Sequence, residues 1–235
     1  MAPPPIVVFD LDGTLADTAP DLIATLNFIM EREGLPPVSL DEAREMIGAG
    51  ARALLERGFE AARVELTPAR SAELHRDFLA HYSEHLCVRS RLFPGVSEAL
   101  DALAERGFAL AVCTNKMADM SVRLLEALGI GSRFAAICGR DSFPWFKPDP
   151  RHLTLTIAEA GGDPARAIMV GDSGTDIATA KAAGIPVVAV PFGYTDRPVA
   201  ELDPDIVVDS FADLAAAVSR LEAGWRDGCG GRDRD

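Results

Sequence analysis

The sequence predicts an α/β protein, a doubly wound and mainly parallel sheet with an α-helical cap inserted into it. Three observations carry that expectation. Short apolar runs, most of them rich in β-branched residues, recur along the chain. A helix-like stretch follows nearly every run. The connection after the first run is about a hundred residues long, far more than a single crossover needs.

The runs lie at residues 6–9, 108–113, 168–170, 187–190 and 206–208, with a shorter-patterned candidate at 134–138. Continuous apolar runs of this length suit strands buried on both faces of a parallel sheet. Helical stretches at 97–106, 117–128, 151–160, 175–183 and 211–221 separate them, so the alternation predicts right-handed crossovers. In the long first connection Leu22, Leu26, Ile29 and Met30 have helical spacing. Ser39-Leu40-Asp41-Glu42 reads as a capping box opening a second helix. Thr67-Pro68 places an N-cap and a first-turn proline before a third helix that runs to about His85. No strand is expected between Asp17 and Leu86. The chain thus divides into an α/β core (residues 1–16 and 89–223), a hinged helical cap (17–88) and a disordered tail (224–235), the last being rich in glycine and charge.

Composition narrows the function. Of 235 residues 48% are apolar, and 36 acids against 23 bases give a net charge of -13. A surface this acidic repels phosphate backbones and anionic lipids, which argues against a nucleic-acid or membrane partner. No apolar run approaches the roughly 18 residues that span a bilayer. Residues 1–5 lack the features of a signal peptide. Four dispersed cysteines, Cys87, Cys113, Cys138 and Cys229, form no CxxC pair, so neither a zinc module nor a disulfide scaffold is expected. The reading is a reduced, cytoplasmic protein, monomeric or homodimeric, acting on a small molecule.

Four motifs sit at strand ends. Asp10-Leu11-Asp12-Gly13-Thr14 puts two carboxylates above the first strand, in the crevice where open α/β sheets bind ligands. Asp-Gly between apolar runs is also a hairpin signal, but the next stretch of chain is helical. Thr114-Asn115 offers a hydroxyl and fresh N–H groups to an anion. Lys147 is one of only three lysines (with Lys116 and Lys181) against twenty arginines, and Pro148 and Pro150 stiffen the loop after it. Gly171-Asp172-Ser173-Gly174-Thr175-Asp176 joins a buried strand to a helix. There Asp172 and Ser173 can equally open the helix while Asp176 complements its dipole.

In this order, the four motifs resemble those of the haloacid dehalogenase superfamily, over residues 6 to about 221. Asp10 to Leu22, Phe93-Pro94-Gly95-Val96, Thr114-Asn115-Lys116, Lys147-Pro148-Asp149-Pro150 and Phe192-Gly193-Tyr194 are similar to its phosphoglycolate phosphatase branch. The resemblance implies a Rossmann-like core, a small phosphomonoester substrate such as 2-phosphoglycolate, and Mg²⁺. It implies Asp10 as the nucleophile that becomes an aspartyl-phosphate and Asp12 as acid and then base. Thr114 and the Asn115 backbone would hold phosphoryl oxygens, and Lys147 would balance charge. Asp10, the Asp12 carbonyl and Asp172 would bind the metal, with Asp176 orienting Lys147 or a water ligand of the metal.

In the cap, Gly48 and Gly50 precede a helix start and can offer N–H groups to an anion, with Arg52 as a partner for a substrate carboxylate. Arg52 can equally be an ordinary exposed helix residue. Several rivals remain open. His81-Tyr82-Ser83-Glu84-His85 fits the inverted zinc-protease pattern, without an evident third ligand. Cys113 and Cys138 read as packing residues, not nucleophiles. Phosphonate-cleaving relatives need a cap lysine, and residues 17–88 contain none. Sugar-phosphate phosphatases, pyrophosphatases and phosphomutases stay possible, as does a regulatory module phosphorylated on an aspartate.

Overall fold

The computed structural model describes residues 2–39, 46–47, 50–195 and 197–227. Strands β1 (Ile6–Phe9), β4 (Ala109–Cys113), β5 (Ala136–Cys138), β6 (Ala167–Gly171), β7 (Val187–Ala189) and β8 (Ile206–Val207) form one sheet in the order β5-β4-β1-β6-β7-β8. All five pairings are parallel. This is the Rossmann-like, doubly wound sheet the sequence predicts. The order reverses at β1, and the loops leaving β1 and β6 diverge around a crevice there.

Side chains alternate across the sheet with period two, so each strand feeds two cores. Val7, Phe9, Val112, Ile168 and Val170 pack with Leu100, Leu103, Leu214 and Val218 on one face. Ile6, Val8, Ala111, Met169 and Val187 pack with Leu153, Ile157, Ile177 and Ala180 on the other. The covering helices are α4 (Val96–Glu105) and α8 (Leu214–Asp227) on the first face, α6 (Pro150–Glu159) and α7 (Gly174–Ala183) on the second. Helix α5 (Ala118–Ala127) adds Leu124 and Leu125 to the first core.

Between the first strand and β4 lie α1 (Ala19–Arg32), α2 (Ala51–Ala61) and α3 (Pro68–Glu84). They share a third apolar cluster built on Leu26, Ile29, Met30, Leu54, Leu55, Leu74 and Phe78. Each such side chain contributes roughly 1.5–3 kcal/mol on burial. Helix α3 begins as predicted, with Thr67 accepting from the Arg70 N–H at 3.3 Å and Pro68 in the first turn. The capping box expected at Ser39–Glu42 falls partly outside the described residues.

Two expectations are corrected. The tethers of the inserted helices do contain strand: β2 (Ala16–Asp17) pairs antiparallel with β3 (Arg91–Leu92). Two residues are too few for a periodic signal. The final helix also runs beyond Gly224 to Asp227, because Trp225 packs against Phe108, ring centroids 6.3 Å apart. That contact offsets the roughly 1 kcal/mol a helical glycine costs. The rest of the predicted tail lies outside the described residues.

Candidate active site

In-register parallel pairing brings the strand ends to one level. Phe9 lies opposite both Val112 and Val170, so Asp10, Thr114 and Asp172 leave the sheet close together. The Asp10 N–H donates to the Val170 carbonyl (2.9 Å) and that of Thr114 to the Cys138 carbonyl (3.0 Å), fixing both just past the strand ends. After Asp12 the chain turns tightly, with the Gly13 N–H donating to the Ala16 carbonyl at 2.9 Å. Gly13 has φ +86°, and a Cβ there would stand 2.3 Å from Asp172 Oδ2, so only glycine serves. The chain passes into β2, whose partner is β3 and not β1. The hairpin alternative is therefore excluded.

Lys147 Nζ lies 2.8 Å from Asp10 Oδ1 and 2.6 Å from Asp176 Oδ1. Its main-chain carbonyl accepts from Asn115 Nδ2 at 3.0 Å, so the loop carrying the lysine is pinned to the second motif. Asp149 caps α6 immediately afterwards. Asp172 accepts from Thr14 Oγ1 (2.7 Å) and from the Tyr194 N–H (2.6 Å). Ser173 caps α7 in a reciprocal capping box with Asp176. Asp176 thus both caps the helix and binds Lys147, and the two readings of that motif are compatible.

The electrostatics follow from burial and charge count. Burial pushes the Asp10 carboxyl up to about 7, against the pull of Lys147 and with the help of Asp176 and Asp12. Asp172 is likewise held well above the usual carboxylate range by burial, then by Asp176 and Asp10. Burial alone would lower Lys147, but Asp10 and Asp176 hold it above its ordinary value. Two carboxylates share the Lys147 ammonium and a third, Asp172, lies beside them, which leaves excess negative charge in a buried place. Oxygens of Asp10, Asp172 and Asp176 lie within 4.8 Å of one another, the one such group among the described residues able to hold a metal ion. Asp176 accepts from Lys147 on one oxygen and from Ser173 on the other, and Asp172 accepts one hydrogen bond on each oxygen, from Thr14 and from the Tyr194 N–H. An all-oxygen donor set with surplus charge fits a hard divalent cation.

Above these groups a cavity of about 420 Å³ is lined by Asp10, Asp12, Thr114, Asn115 and Asp172 from the sheet. Gly50 and Arg52 close it from α2. Arg52 is already engaged, with Nε 3.5 Å from Glu56 and 3.3 Å from Ser71 Oγ. Gly48 lies outside the described residues. The same cavity meets side chains that the sequence did not place in a site, notably Lys116, Tyr82 and Arg140. Lys116 Nζ donates to Asp12 Oδ1 (2.9 Å) and to Tyr82 Oη (2.7 Å), while Thr18 Oγ1 donates to the same Asp12 oxygen (2.7 Å). The rarity of lysine in this chain and the place of Lys116 directly after Asn115 were the available signal.

The zinc alternative does not assemble. The His81 ring stacks between Phe28 and His85 at 4.0 and 4.2 Å, and His85 Nδ1 faces the His81 carbonyl at 2.8 Å. Cys113 and Cys138 are free, buried and opposite each other in neighbouring strands, and burial pushes the Cys113 thiol up to about 12. Cys229 lies outside the described residues.

Comparison with known proteins agrees with this geometry. Residues 7–190 match the family model of haloacid dehalogenase-like hydrolases. The chain is 51% identical to a phosphoglycolate phosphatase of Mesorhizobium japonicum, over 92% of this chain and 95% of that one. It is 48% identical to a phosphoglycolate phosphatase of Agrobacterium fabrum, over 91% and 92%. The crystal structure of a predicted phosphoglycolate phosphatase from Haemophilus somnus superposes with TM-score 0.83 at 37% identity, covering 90% of this chain and 96% of that one. With Asp10, Lys147 and the acidic cluster meeting beyond the carboxyl ends of the strands, and with relatives this close over nearly the whole length, the chain belongs to the haloacid dehalogenase-like hydrolase family.

Proposed function

We propose that this chain hydrolyses 2-phosphoglycolate to glycolate and phosphate, with Mg²⁺, through an aspartyl-phosphate on Asp10. The observation that carries the reading is Asp10 itself, a buried carboxylate at the switch point of the sheet, 2.8 Å from Lys147 and open to the cavity. The relatives' activity supports the substrate.

Uncatalysed phosphomonoester hydrolysis is slow enough to need up to ~10²¹-fold acceleration, supplied mainly by positioning and charge stabilisation. Asp10 attacks phosphorus and the P–O ester bond breaks, the electron pair leaving on the glycolate oxygen. Asp12 gives that oxygen its proton. Asp12 then takes a proton from the water that attacks the aspartyl-phosphate, releasing phosphate and restoring Asp10. The Thr114 hydroxyl, whose oxygen accepts from the Lys116 N–H at 3.2 Å, keeps its hydrogen for a phosphoryl oxygen, alongside the Asn115 N–H. Lys147 neutralises charge beneath the reacting centre. Asp10, Asp172 and the Asp12 carbonyl would hold Mg²⁺, which supplies positive charge to the transferring phosphoryl group. Residues 17–88 serve as a cap over a core of 1–16 and 89–223. Free buried thiols suit a reducing compartment, the cytoplasm.

Phosphate release from a panel of 2-phosphoglycolate, sugar phosphates and pyrophosphate, with and without EDTA, tests this. Strong preference for 2-phosphoglycolate is expected, and Asp10→Asn is expected to lose roughly 10⁴-fold or more. Release by Asp10→Asn at the parent rate would remove Asp10 as nucleophile. Even activity over the panel would remove the substrate assignment.

A further inference from the structure

The cavity is large for a two-carbon acid, and most of its wall is apolar, with Leu22, Ile47, Leu54, Leu79, Met117 and Met120. Specificity for 2-phosphoglycolate therefore needs a cation close to the reacting atoms. The reach is short: the carboxyl carbon is two bonds from the ester oxygen, so its oxygens lie within roughly 3–4 Å of that atom. Any acid that protonates the ester oxygen must itself stand within about 3 Å of it. A cation that reads the carboxylate therefore stands within roughly 7 Å of the ester oxygen, a range that a neighbour of Asp12 satisfies.

One lysine meets that condition. Lys116 Nζ is 2.9 Å from Asp12 Oδ1 and 3.3 Å from Oδ2, with its side chain only 5% exposed and lining the cavity. Among the described residues no other basic side chain pairs with Asp12. An ammonium has three hydrogens; Asp12 and the Tyr82 hydroxyl engage two, which leaves one for a ligand. Neither arginine of the wall pairs with Asp12: Arg52 Nε meets Glu56 and Ser71, and Arg140 stacks 3.7 Å over the Phe146 ring.

Building on the phosphoglycolate reading, we propose that Lys116 is the residue that recognises the substrate carboxylate, with Tyr82 holding it in place from the inserted helices. In the free protein Lys116 pairs with the Asp12 carboxylate. When a 2-phosphorylated acid binds, the substrate carboxylate takes a share of the same ammonium, which a neutral analogue does not.

The test compares kcat/KM for 2-phosphoglycolate and for 2-hydroxyethyl phosphate, the same chain length with a neutral CH2OH group in place of the carboxylate, in the Mg²⁺-loaded protein. The wild type should favour the acid, and in Lys116→Met the ratio of the two should fall roughly 100-fold, the scale of a lost charge-assisted hydrogen bond in a desolvated site. Any loss of Asp12 positioning affects both substrates and cancels in the ratio. Lys116→Arg should restore part of it. Equal losses on both substrates would overturn the proposal and leave Lys116 a positioning residue. A wild type that hydrolyses hydroxyethyl phosphate but not phosphoglycolate would sink the underlying reading and this inference with it. If the variants do not fold, the wild type decides by itself. Moving the carboxylate one methylene away, in 3-phosphooxypropionate, should cost roughly ten-fold, and equal kcat/KM for the two acids would overturn the assignment.

Discussion

Lys147 holds two buried carboxylates on one positive charge, and its removal would expose both to each other without compensation. Breaking a buried pair from one side costs about 3–5 kcal/mol. Lys147→Met should lose that much in urea unfolding measured with EDTA, while Asp176→Asn, which keeps the cap geometry, should lose less. A neighbouring residue gives a pH signature. His152 is fully buried, faces the Gly139 carbonyl at 3.2 Å, and has its imidazole held down to about 4 from 6.5, first by burial and then by Lys147. The unfolded imidazole binds a proton that the folded one refuses, so this group's stability is complete above pH 6.5 and is lost as pH falls toward 4. His152→Leu should narrow the difference in unfolding free energy between pH 7 and pH 5 by up to about 2 kcal/mol. At this scale the sequence was informative where chemistry sits beside a strand end. Asp10, Thr114 and Asp172 are each the first residue after a strand, directly after an apolar run or one glycine beyond it. The Lys116–Tyr82 contact joins a loop of the sheet to a distant helix, and neither periodicity nor spacing encodes such a meeting.

The inserted helices are fastened at their two tethers by short elements. The β2–β3 pair is one fastening. Asp21 on α1 is the other: its buried carboxylate accepts from the Arg89 N–H (3.0 Å), the Ser90 N–H (2.8 Å) and the Ser90 hydroxyl (2.7 Å). Asp21→Ala strands those donors and should lower stability by about 2–4 kcal/mol, read from the urea midpoint. It should also loosen hydrogen exchange at residues 88–91 before that of β1. The long elements were visible in advance because apolar periodicity over ten or more residues is distinctive. The fastenings were not, because Asp21 reads as an ordinary first-turn acid until its partners 68 and 69 residues away are placed beside it.

Across the whole molecule, the excess of acid concentrates its cost at the crevice. Asp10 binds its proton more tightly when folded than unfolded, so in the metal-free protein its contribution to stability declines as pH rises from 3.8 through about 7. A cation replaces that proton. Mg²⁺ at about 100 times its Kd should add about 2.7 kcal/mol, or roughly 5–10 °C in Tm. The rise should be larger at pH 8 than at pH 5, and EDTA should abolish it. A Tm rise independent of pH would place the ion elsewhere. The sheet order was legible only as a class, since the alternation of strand and helix implies crossovers without saying on which side of β1 each one lands.

Tyr194 joins these scales. Its N–H holds Asp172, its ring is buried in the apolar cluster of the inserted helices, and its hydroxyl donates to Asp17 at 2.5 Å while accepting from the Ala19 N–H at 2.8 Å. The helical segment therefore does not end at its own tethers, since one of its core residues arrives from the loop after β7. As a unit of packing, that segment is discontinuous in sequence. A chimaera that exchanges residues 17–90 and leaves position 194 behind transplants a lid without its pivot, whereas moving the tyrosine with the helices carries the whole joint.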